Sequence, residues 1–150
     1  MAFNDFLEES SYTSRTEMSD MQVINCRDNK NCMNYPKISI ITPSLNQGKF
    51  IGEALDSVQC QGYFNYEHII IDGVSTDNTI EILKNHSENN SLCWISEADL
   101  GQSDALNKGF RLAKGDIIGW LNADDRYLPG CFESIVDFFD NYPDIDIIYG

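Results

Sequence analysis

Acidic side chains follow short apolar runs at two places in this sequence of 150 residues. Asp72 ends the run 68–72, and the adjacent pair Asp124 and Asp125 comes just after the run 116–121. Two neighbouring carboxylates repel each other unless a cation or a proton lies between them. A hard divalent cation such as Mg²⁺ or Mn²⁺ is held by carboxylate oxygens, water and phosphate. The pair therefore predicts a metal site, and the alternative is a solvated acidic turn at a helix start.

Polar side chains also follow two other apolar runs. Thr42, Ser44 and Asn46 come at the end of the run 38–42, where turn and capping roles are the alternative to ligand binding. The polar residues after the run 92–96 are Glu97, Asp99, Gln102, Ser103 and Asp104. One polar loop would mean little, but hydroxyls, amides or carboxylates at four consecutive run ends indicate one binding site.

The elements that must position these residues alternate along the chain. Short β-branched runs predict strands at residues 38–42, 68–72, 92–96, 116–121 and 145–149. Apolar residues at helical spacing predict helices near residues 51–58, 77–86, 105–113 and 132–139, and Ser75 or Thr76 is the expected cap of the second. This alternation predicts an α/β fold, with a mainly parallel sheet and helices on both faces. Such sheets bind ligands beyond the carboxyl ends of their strands.

Composition excludes several classes of function. The formal net charge is −14, which argues against a nucleic-acid partner and against a polybasic membrane anchor. The five cysteines are odd in number and none has CxxC spacing, so neither a disulfide framework nor a zinc site is predicted. No apolar run is long enough to cross a membrane, and the N-terminus lacks the apolar core of a signal peptide. We therefore expect a cytoplasmic protein, with peripheral association at the inner face of the membrane left open.

The chain divides near Pro36. Residues 1–36 are polar and aperiodic, which predicts a flexible tail or an appended helix, whereas residues 37–150 carry the organised pattern. Neither GxGxxG nor GxxxxGK[ST] occurs, which weakens a dehydrogenase or P-loop interpretation. A receiver-type signalling domain also places acids at strand ends, but it would need them directly after the first strand, where Thr42 and Pro43 stand.

Three stretches carry a family resemblance: ISIITPSLNQGKFIGEALDSV, HIIIDGVSTDNTIEIL and SEADLGQSDALNKGFRLAKGDIIGWLNADDRYLPG. Together they resemble the GT-A-fold family 2 glycosyltransferases over residues 37–150, most of all bacterial members that build cell-surface polysaccharide. The resemblance implies a Rossmann-like GT-A domain and an inverting transfer of a sugar from a nucleotide-diphosphate donor, UDP-sugar by default. The acceptor would be a hydroxyl of a glycan or of a lipid-linked molecule.

The resemblance also assigns residues to the donor site. Those expected to bind the nucleotide-sugar are Thr42, Ser44, Asn46, Asp72, Asp104, Lys108 and Asp124. Asp125, with Asp124, is expected to hold Mg²⁺ or Mn²⁺. For Asp104 the alternative role is stabilisation of the helix dipole, and for Lys108 it is a solvated position on a helix. Many relatives carry an aromatic residue where Leu45 stands and an acid where Gly73 stands, which leaves the donor base open.

The family's general base lies in a later segment, so the resemblance places it beyond residue 150 and assigns no catalytic residue here. Both His68 and His86 are expected to be structural or solvated. We therefore expect the donor-binding part of a transferase, with the sheet truncated after the fifth strand. A sheet left with an exposed edge would favour self-association. The alternatives are a non-catalytic nucleotide- or metal-binding module of the same fold and, as a weaker one, the receiver-type domain.

Overall fold

The computed structural model describes residues 35–149, and all of them belong to one compact unit, residues 34–150. The predicted tail at residues 1–36 therefore lies almost wholly outside the described residues. Strands and helices alternate as predicted. Their bounds are β1 Ile38–Ser44, α1 Ile51–Gln59, β2 Tyr66–Asp72, α2 Thr79–Asn85, β3 Leu92–Ser96, α3 Gln102–Leu112, β4 Ile117–Trp120 and α4 Cys131–Asn141.

The strands form one parallel sheet in the order β3-β2-β1-β4. Every residue of β1 is buried, because this strand is paired on both sides and covered on both faces. Ser44, Asp72 and Ser96 stand side by side at the carboxyl ends of β1, β2 and β3. After β3 the chain returns to the other side of β1 to form β4. This reversal of strand order creates the crevice where a ligand is expected.

Helices cover both faces of the sheet, as predicted. On one face Ala105 of α3 packs against Ile69 and Ile71 of β2. On the other face α1 and α4 enclose the largest apolar cluster, in which Phe132 is fully buried beside Ile40. Within residues 35–149 no helix has the length and apolar character needed to cross a membrane.

The predicted fifth strand at residues 145–149 is wrong. After α4 the chain turns, and the Ile145 N–H donates to the Tyr142 carbonyl at 3.1 Å. Ile145 and Asp146 line the same cavity as Ile117 and Ile118. Within the described part of the chain, residues 145–149 nevertheless form no β-ladder with β4. Ile147 remains 79% exposed. β-branched composition favours an extended backbone, but a strand also needs a hydrogen-bonded neighbour.

The second helix begins later than predicted and without the predicted cap. It starts at Thr79 rather than near Asp77, and Asn78 is its N-cap residue. The expected caps, Ser75 and Thr76, are instead hydrogen-bonded to Asp72 and to Asn46. Residues that favour helix caps also favour turns, because a short polar side chain can hydrogen-bond to nearby backbone groups in either structure. Here the turn after β2 uses them.

Gly109 provides the closest approach of α3 to the sheet, and its substitution tests that packing. An alanine Cβ at this position would collide with Cγ2 of the buried Ile41 and lie 3.1 Å from its Cγ1. Overpacking a core costs about 1–3 kcal/mol, which outweighs the gain of about 1 kcal/mol in helix propensity. We expect Gly109→Ala to lower the free energy of unfolding by up to about 2 kcal/mol in urea denaturation.

The matched control for this substitution is Gly52→Ala in α1. A Cβ there would meet only Ile82 Cγ2, at an ordinary contact distance of 3.9 Å. Its free energy of unfolding should stay unchanged or rise by up to about 1 kcal/mol. Equal stability of the two variants would contradict the proposed close contact between α3 and β1.

Candidate functional site

The loop after β1 and the loop after β2 are joined by hydrogen bonds. The Asn46 N–H donates to the Ser75 hydroxyl at 2.7 Å, and the Asn46 side-chain oxygen accepts the Thr76 N–H at 2.8 Å. Asn46 and Val74 have φ angles of 54° and 65°, in the left-handed region. Asparagine tolerates this region, whereas a β-branched valine is strained there. The hydrogen bonds between the loops hold both residues in place.

A second set of hydrogen bonds joins the same loops nearer to α1. The Gln47 N–H donates to the Thr79 hydroxyl at 3.0 Å, and the Gly48 N–H donates to the Asp77 carboxylate at 2.9 Å. A Cβ at Gly48 would collide with the Asn78 side chain. The chain needs glycine there so that the two loops can approach this closely.

Asp72 serves the fold through both of its carboxylate oxygens. It is fully buried at the end of β2 and accepts the Ser75 N–H at 2.9 Å together with the Ser75 hydroxyl. The Ser96 hydroxyl at the end of β3 donates to the same carboxylate at 2.7 Å. The sequence predicts Asp72 as a nucleoside ligand, but the structure places it beneath the loop that it fixes.

Thr42 also lies below the ligand crevice. Its hydroxyl is hydrogen-bonded to Nε2 of the buried His68 at 2.9 Å, across the pairing of β1 with β2. Burial lowers the pKa of His68 to about 3, so the ring is neutral at physiological pH. His68 is therefore a structural histidine, as the sequence analysis expected.

A cavity of about 280 Å³ lies beyond the carboxyl ends of β1 and β4. The end of β1, the start of α3 and the loops that follow β1, β3 and β4 form its lining. The lining residues are Pro43, Ser44, Leu45, Gln47, Asp99, Gly101, Gln102, Ala105, Asn122, Ala123 and Asp124. The Ser44 hydroxyl is the one buried side-chain oxygen or nitrogen in residues 35–149 without a hydrogen-bond partner. An unsatisfied buried hydroxyl is costly, so a water or a ligand group that reached Ser44 Oγ would be stabilising.

Asp124 and Asp125 both stand exposed after β4, and Asp124 lines the cavity. The Asn122 amide donates to one oxygen of Asp125 at 2.9 Å, and the same Asn122 accepts from Gln102 at 2.8 Å. No group of three or more His, Cys, Asp or Glu side chains within residues 35–149 is arranged to hold a metal ion. Two carboxylates nevertheless fit Mg²⁺ or Mn²⁺, which take one or two from the protein and the rest from water and phosphate.

Lys108 and Asp104 are paired with each other and with the loop before α3. Lys108 Nζ lies 3.0 Å from Glu97 and 3.5 Å from Asp104, and it donates to the Ala98 carbonyl at 2.8 Å. The hydrogen bond to Glu97 raises the pKa of Lys108. Neither residue lines the cavity. Their contacts stabilise the β3–α3 loop, which carries Asp99.

The structure therefore brings together only part of the predicted site. Ser44 and Asp124 line the cavity, Asp125 stands next to it, and Asn46 shapes the loop in front of it. Gln47 and Asn122 also line the cavity but were not among the predicted ligands. Asp99, which the sequence analysis placed only in the polar loop after the third run, supplies the second carboxylate of the lining. Asp99 lies three residues after the end of β3, so the rule that ligands follow strand ends pointed to its loop.

The fold and the cavity define an α/β protein with a cavity at the carboxyl edge of a parallel sheet. The family model described as "Glycosyl transferase family 2" matches residues 39–150. A protein named as an uncharacterized glycosyltransferase from Rickettsia typhi is 32% identical over 113 residues, which is 75% of this chain and 35% of the relative. The chain belongs to glycosyltransferase family 2, as the resemblance implies, and this membership displaces the receiver-type alternative.

Other relatives agree with this family. A PGL/p-HBAD biosynthesis glycosyltransferase of Mycobacterium bovis is 33% identical over 121 residues, covering 79% of this chain and 47% of its own length. S. aureus TarS 1–349, solved in complex with UDP, superposes with a TM-score of 0.67 at 25% identity, over 71% of this chain and 33% of that one. The mannosyltransferase PcManGT from Pyrobaculum calidifontis, solved with GDP-Man and Mn²⁺, gives 0.60 at 28% identity, over 65% and 30%. The chain thus spans between 30% and 47% of these relatives, and the GT-A fold is confirmed.

The buried His68 predicts a specific dependence of stability on pH. Unfolded His68 takes up a proton below its ordinary pKa of 6.5, whereas the folded ring stays neutral down to about 3. The unfolded state therefore binds more protons, and this histidine lowers the free energy of unfolding by about 1.4 kcal/mol per pH unit as the pH falls. Urea denaturation from neutral pH to about pH 5 should show a steeper loss in the native chain than in His68→Gln. Equal slopes would contradict the assignment.

Proposed function

We propose that residues 37–150 form the donor-binding part of an inverting glycosyltransferase that uses a nucleoside-diphosphate sugar, with UDP-sugar as the default donor. The observation that carries this proposal is the cavity at the switch of strand order. It holds the unpartnered Ser44 hydroxyl and the carboxylate of Asp124, with Asp125 beside it. These groups suit a ligand that has hydrogen-bonding groups at one end and a metal-bound diphosphate at the other.

The relatives support this donor class. TarS was solved with UDP, and PcManGT with GDP-Man and Mn²⁺. By analogy, the donor of this chain is a uridine or guanosine diphosphate sugar, and its metal is Mn²⁺ or Mg²⁺. The carboxylates after β4 are the residues that would hold the ion.

Electrostatics favour a cation as part of the site for this ligand. The cavity lining contributes two carboxylates, Asp99 and Asp124, and within that lining there is no lysine or arginine. A diphosphate entering this surface would meet only like charge, and Lys108 is already neutralised by its own carboxylates. A divalent cation bound to Asp124 and Asp125 would act as a Lewis acid on the departing diphosphate.

The proposed reaction exchanges one bond for another at the anomeric carbon. The bond from that carbon to the diphosphate oxygen breaks, the acceptor hydroxyl oxygen forms the new bond from the opposite side, and the hydroxyl proton passes to a general base. Within residues 35–149 neither histidine lines the cavity, and we assign the base to no residue there. We further propose a glycan or lipid-linked acceptor in surface polysaccharide synthesis, at the cytoplasmic face of the membrane.

The metal-dependent donor site is tested by calorimetric titration of UDP into the full chain with Mn²⁺ and again with EDTA. We expect binding only with Mn²⁺, and we expect Asp125→Asn to weaken it at least about tenfold, because a metal ligand matters at least as much as its outer-shell partners. Asp137→Asn removes an exposed carboxylate on α4, far along the chain from the strand ends, and should bind as the native chain does. Equal affinity of the two variants would contradict the metal assignment.

Turnover separates the transferase from a non-catalytic module of the same fold. The full chain is incubated with radiolabelled UDP-sugar and Mn²⁺, and release of UDP is followed with and without added acceptor glycans. UDP release above that of Asp125→Asn supports the transferase. Donor binding without any release is also the result expected of a donor-binding part whose general base lies elsewhere, so only release distinguishes the two.

A further inference from the structure

Asn122 lies at the centre of a small group of side-chain hydrogen bonds just after β4. Its oxygen Oδ1 accepts the indole Nε1–H of Trp120 at 3.1 Å and the side-chain amide of Gln102 at 2.8 Å. Its nitrogen Nδ2 donates to Oδ2 of Asp125 at 2.9 Å. The Asn122 side chain therefore connects the last residue of β4 and the first residue of α3 to a candidate metal ligand.

Trp120 determines which way the Asn122 amide faces. The two ends of an amide have opposite hydrogen-bonding roles, and an indole nitrogen can only donate. The atom of Asn122 that faces the indole must therefore be the oxygen, and the NH₂ group then faces Asp125. A reversed amide would turn its oxygen toward the Asp125 carboxylate, so two acceptors would meet and both hydrogen bonds would be lost.

Asn122 holds Asp125 in two ways. The Asp125 N–H donates to the Asn122 carbonyl at 3.1 Å, which closes the turn 122–125, and the side-chain hydrogen bond fixes the carboxylate on that turn. Asp125 is exposed, so without this bond its carboxylate could rotate away, and ordering it on metal binding would cost conformational entropy. The bond uses only Oδ2, so Oδ1 can face a cation while the carboxylate stays in place.

We infer that Asn122 is a positioning residue for the metal ligand Asp125, and that Trp120 and Gln102 act through it by fixing the orientation of its amide. This inference rests on the proposed function, in which Asp124 and Asp125 hold the ion. Groups that hydrogen-bond to a metal ligand orient it, and losing one typically lowers metal affinity about 10- to 100-fold. The hydrogen bonds of Asn122 lie near the surface, so the lower end of that range is expected here.

Calorimetry tests whether Trp120 acts through Asn122. UDP, or GDP if the native chain prefers it, is titrated with Mn²⁺ into the full native chain, Asn122→Ala, Trp120→Phe and the double variant. We expect Asn122→Ala to weaken binding about tenfold. Trp120→Phe should weaken it about threefold, because one neutral hydrogen bond is lost and Gln102 still holds the amide oxygen. In the double variant the loss of the indole should add nothing, since the residue that it orients is already gone.

The matched control is Trp94→Phe, which also removes an indole N–H and keeps an aromatic ring. Trp94 lies on β3, at the opposite edge of the sheet from β4, and its Nε1–H donates to the Ser87 hydroxyl at 3.2 Å. This variant should bind UDP with Mn²⁺ as the native chain does.

A spectroscopic measurement separates positioning from a general loss of structure. The chain has two tryptophans, so its ¹H–¹⁵N NMR spectrum contains two indole N–H signals. Saturation with UDP and Mg²⁺, which is diamagnetic, should shift the signal of Trp120 through Asn122 and leave that of Trp94 in place. In saturated Asn122→Ala the signal of Trp120 should no longer respond.

The outcomes distinguish this inference from the proposed function. Equal affinity of the native chain and Asn122→Ala, with circular dichroism showing both folded, overturns the inference and leaves the donor site standing. Additive losses in the double variant, or a Trp120 signal that still shifts in Asn122→Ala, overturn it as well. If Asn122→Ala does not fold, equal affinity of Trp120→Phe and Trp94→Phe overturns it. If the native chain binds neither UDP nor GDP with Mn²⁺, the proposed function fails, and this inference fails with it.

Discussion

The parallel pairing of β1 with β2 on one side and β4 on the other fixes where the loops of this domain meet. All seven residues of β1 are buried, so the strand cannot shift its register without exposing apolar side chains. Ser44 and Asp72 are opposite each other at its end, and the chain after β4 leaves from the same edge. The cavity and both groups of candidate ligands depend on this alignment, since no single loop supplies more than part of them.

The four strands that the sequence predicts correctly are those that pair with a neighbour in the sheet. The runs of β1 and β2 are apolar almost throughout, which is typical of strands covered on both faces, and their bounds differ little from the prediction. Residues 145–149 have the same β-branched composition and form no strand. Composition describes how a segment would behave if it were paired, and it carries no information about whether a partner edge is within reach.

Residue type and position also predict only part of the site. The strand-end rule led to Ser44 and Asp124, and both line the cavity. It could not show that Thr42 and Asp72 are consumed by hydrogen bonds within the fold, because their partners, His68 and Ser75, are set by strand register and loop geometry. The position of the Asp99 carboxylate depends on Gly73, 26 positions earlier in the chain, because a larger residue there would leave no room for it. Such a relation appears only when the two loops are placed side by side.

The left-handed conformations of Asn46 and Val74 have a consequence for the energetics of ligand capture. Ordering a flexible loop when a ligand arrives costs conformational entropy, which is subtracted from the affinity. Here the loops after β1 and β2 are already locked together, and the unfavourable backbone of Val74 is compensated when the chain folds. The wall of the cavity is thus preorganised. The conformational entropy of ordering this wall is lost when the chain folds, before any ligand binds. A larger share of the free energy of each ligand contact can therefore contribute to affinity.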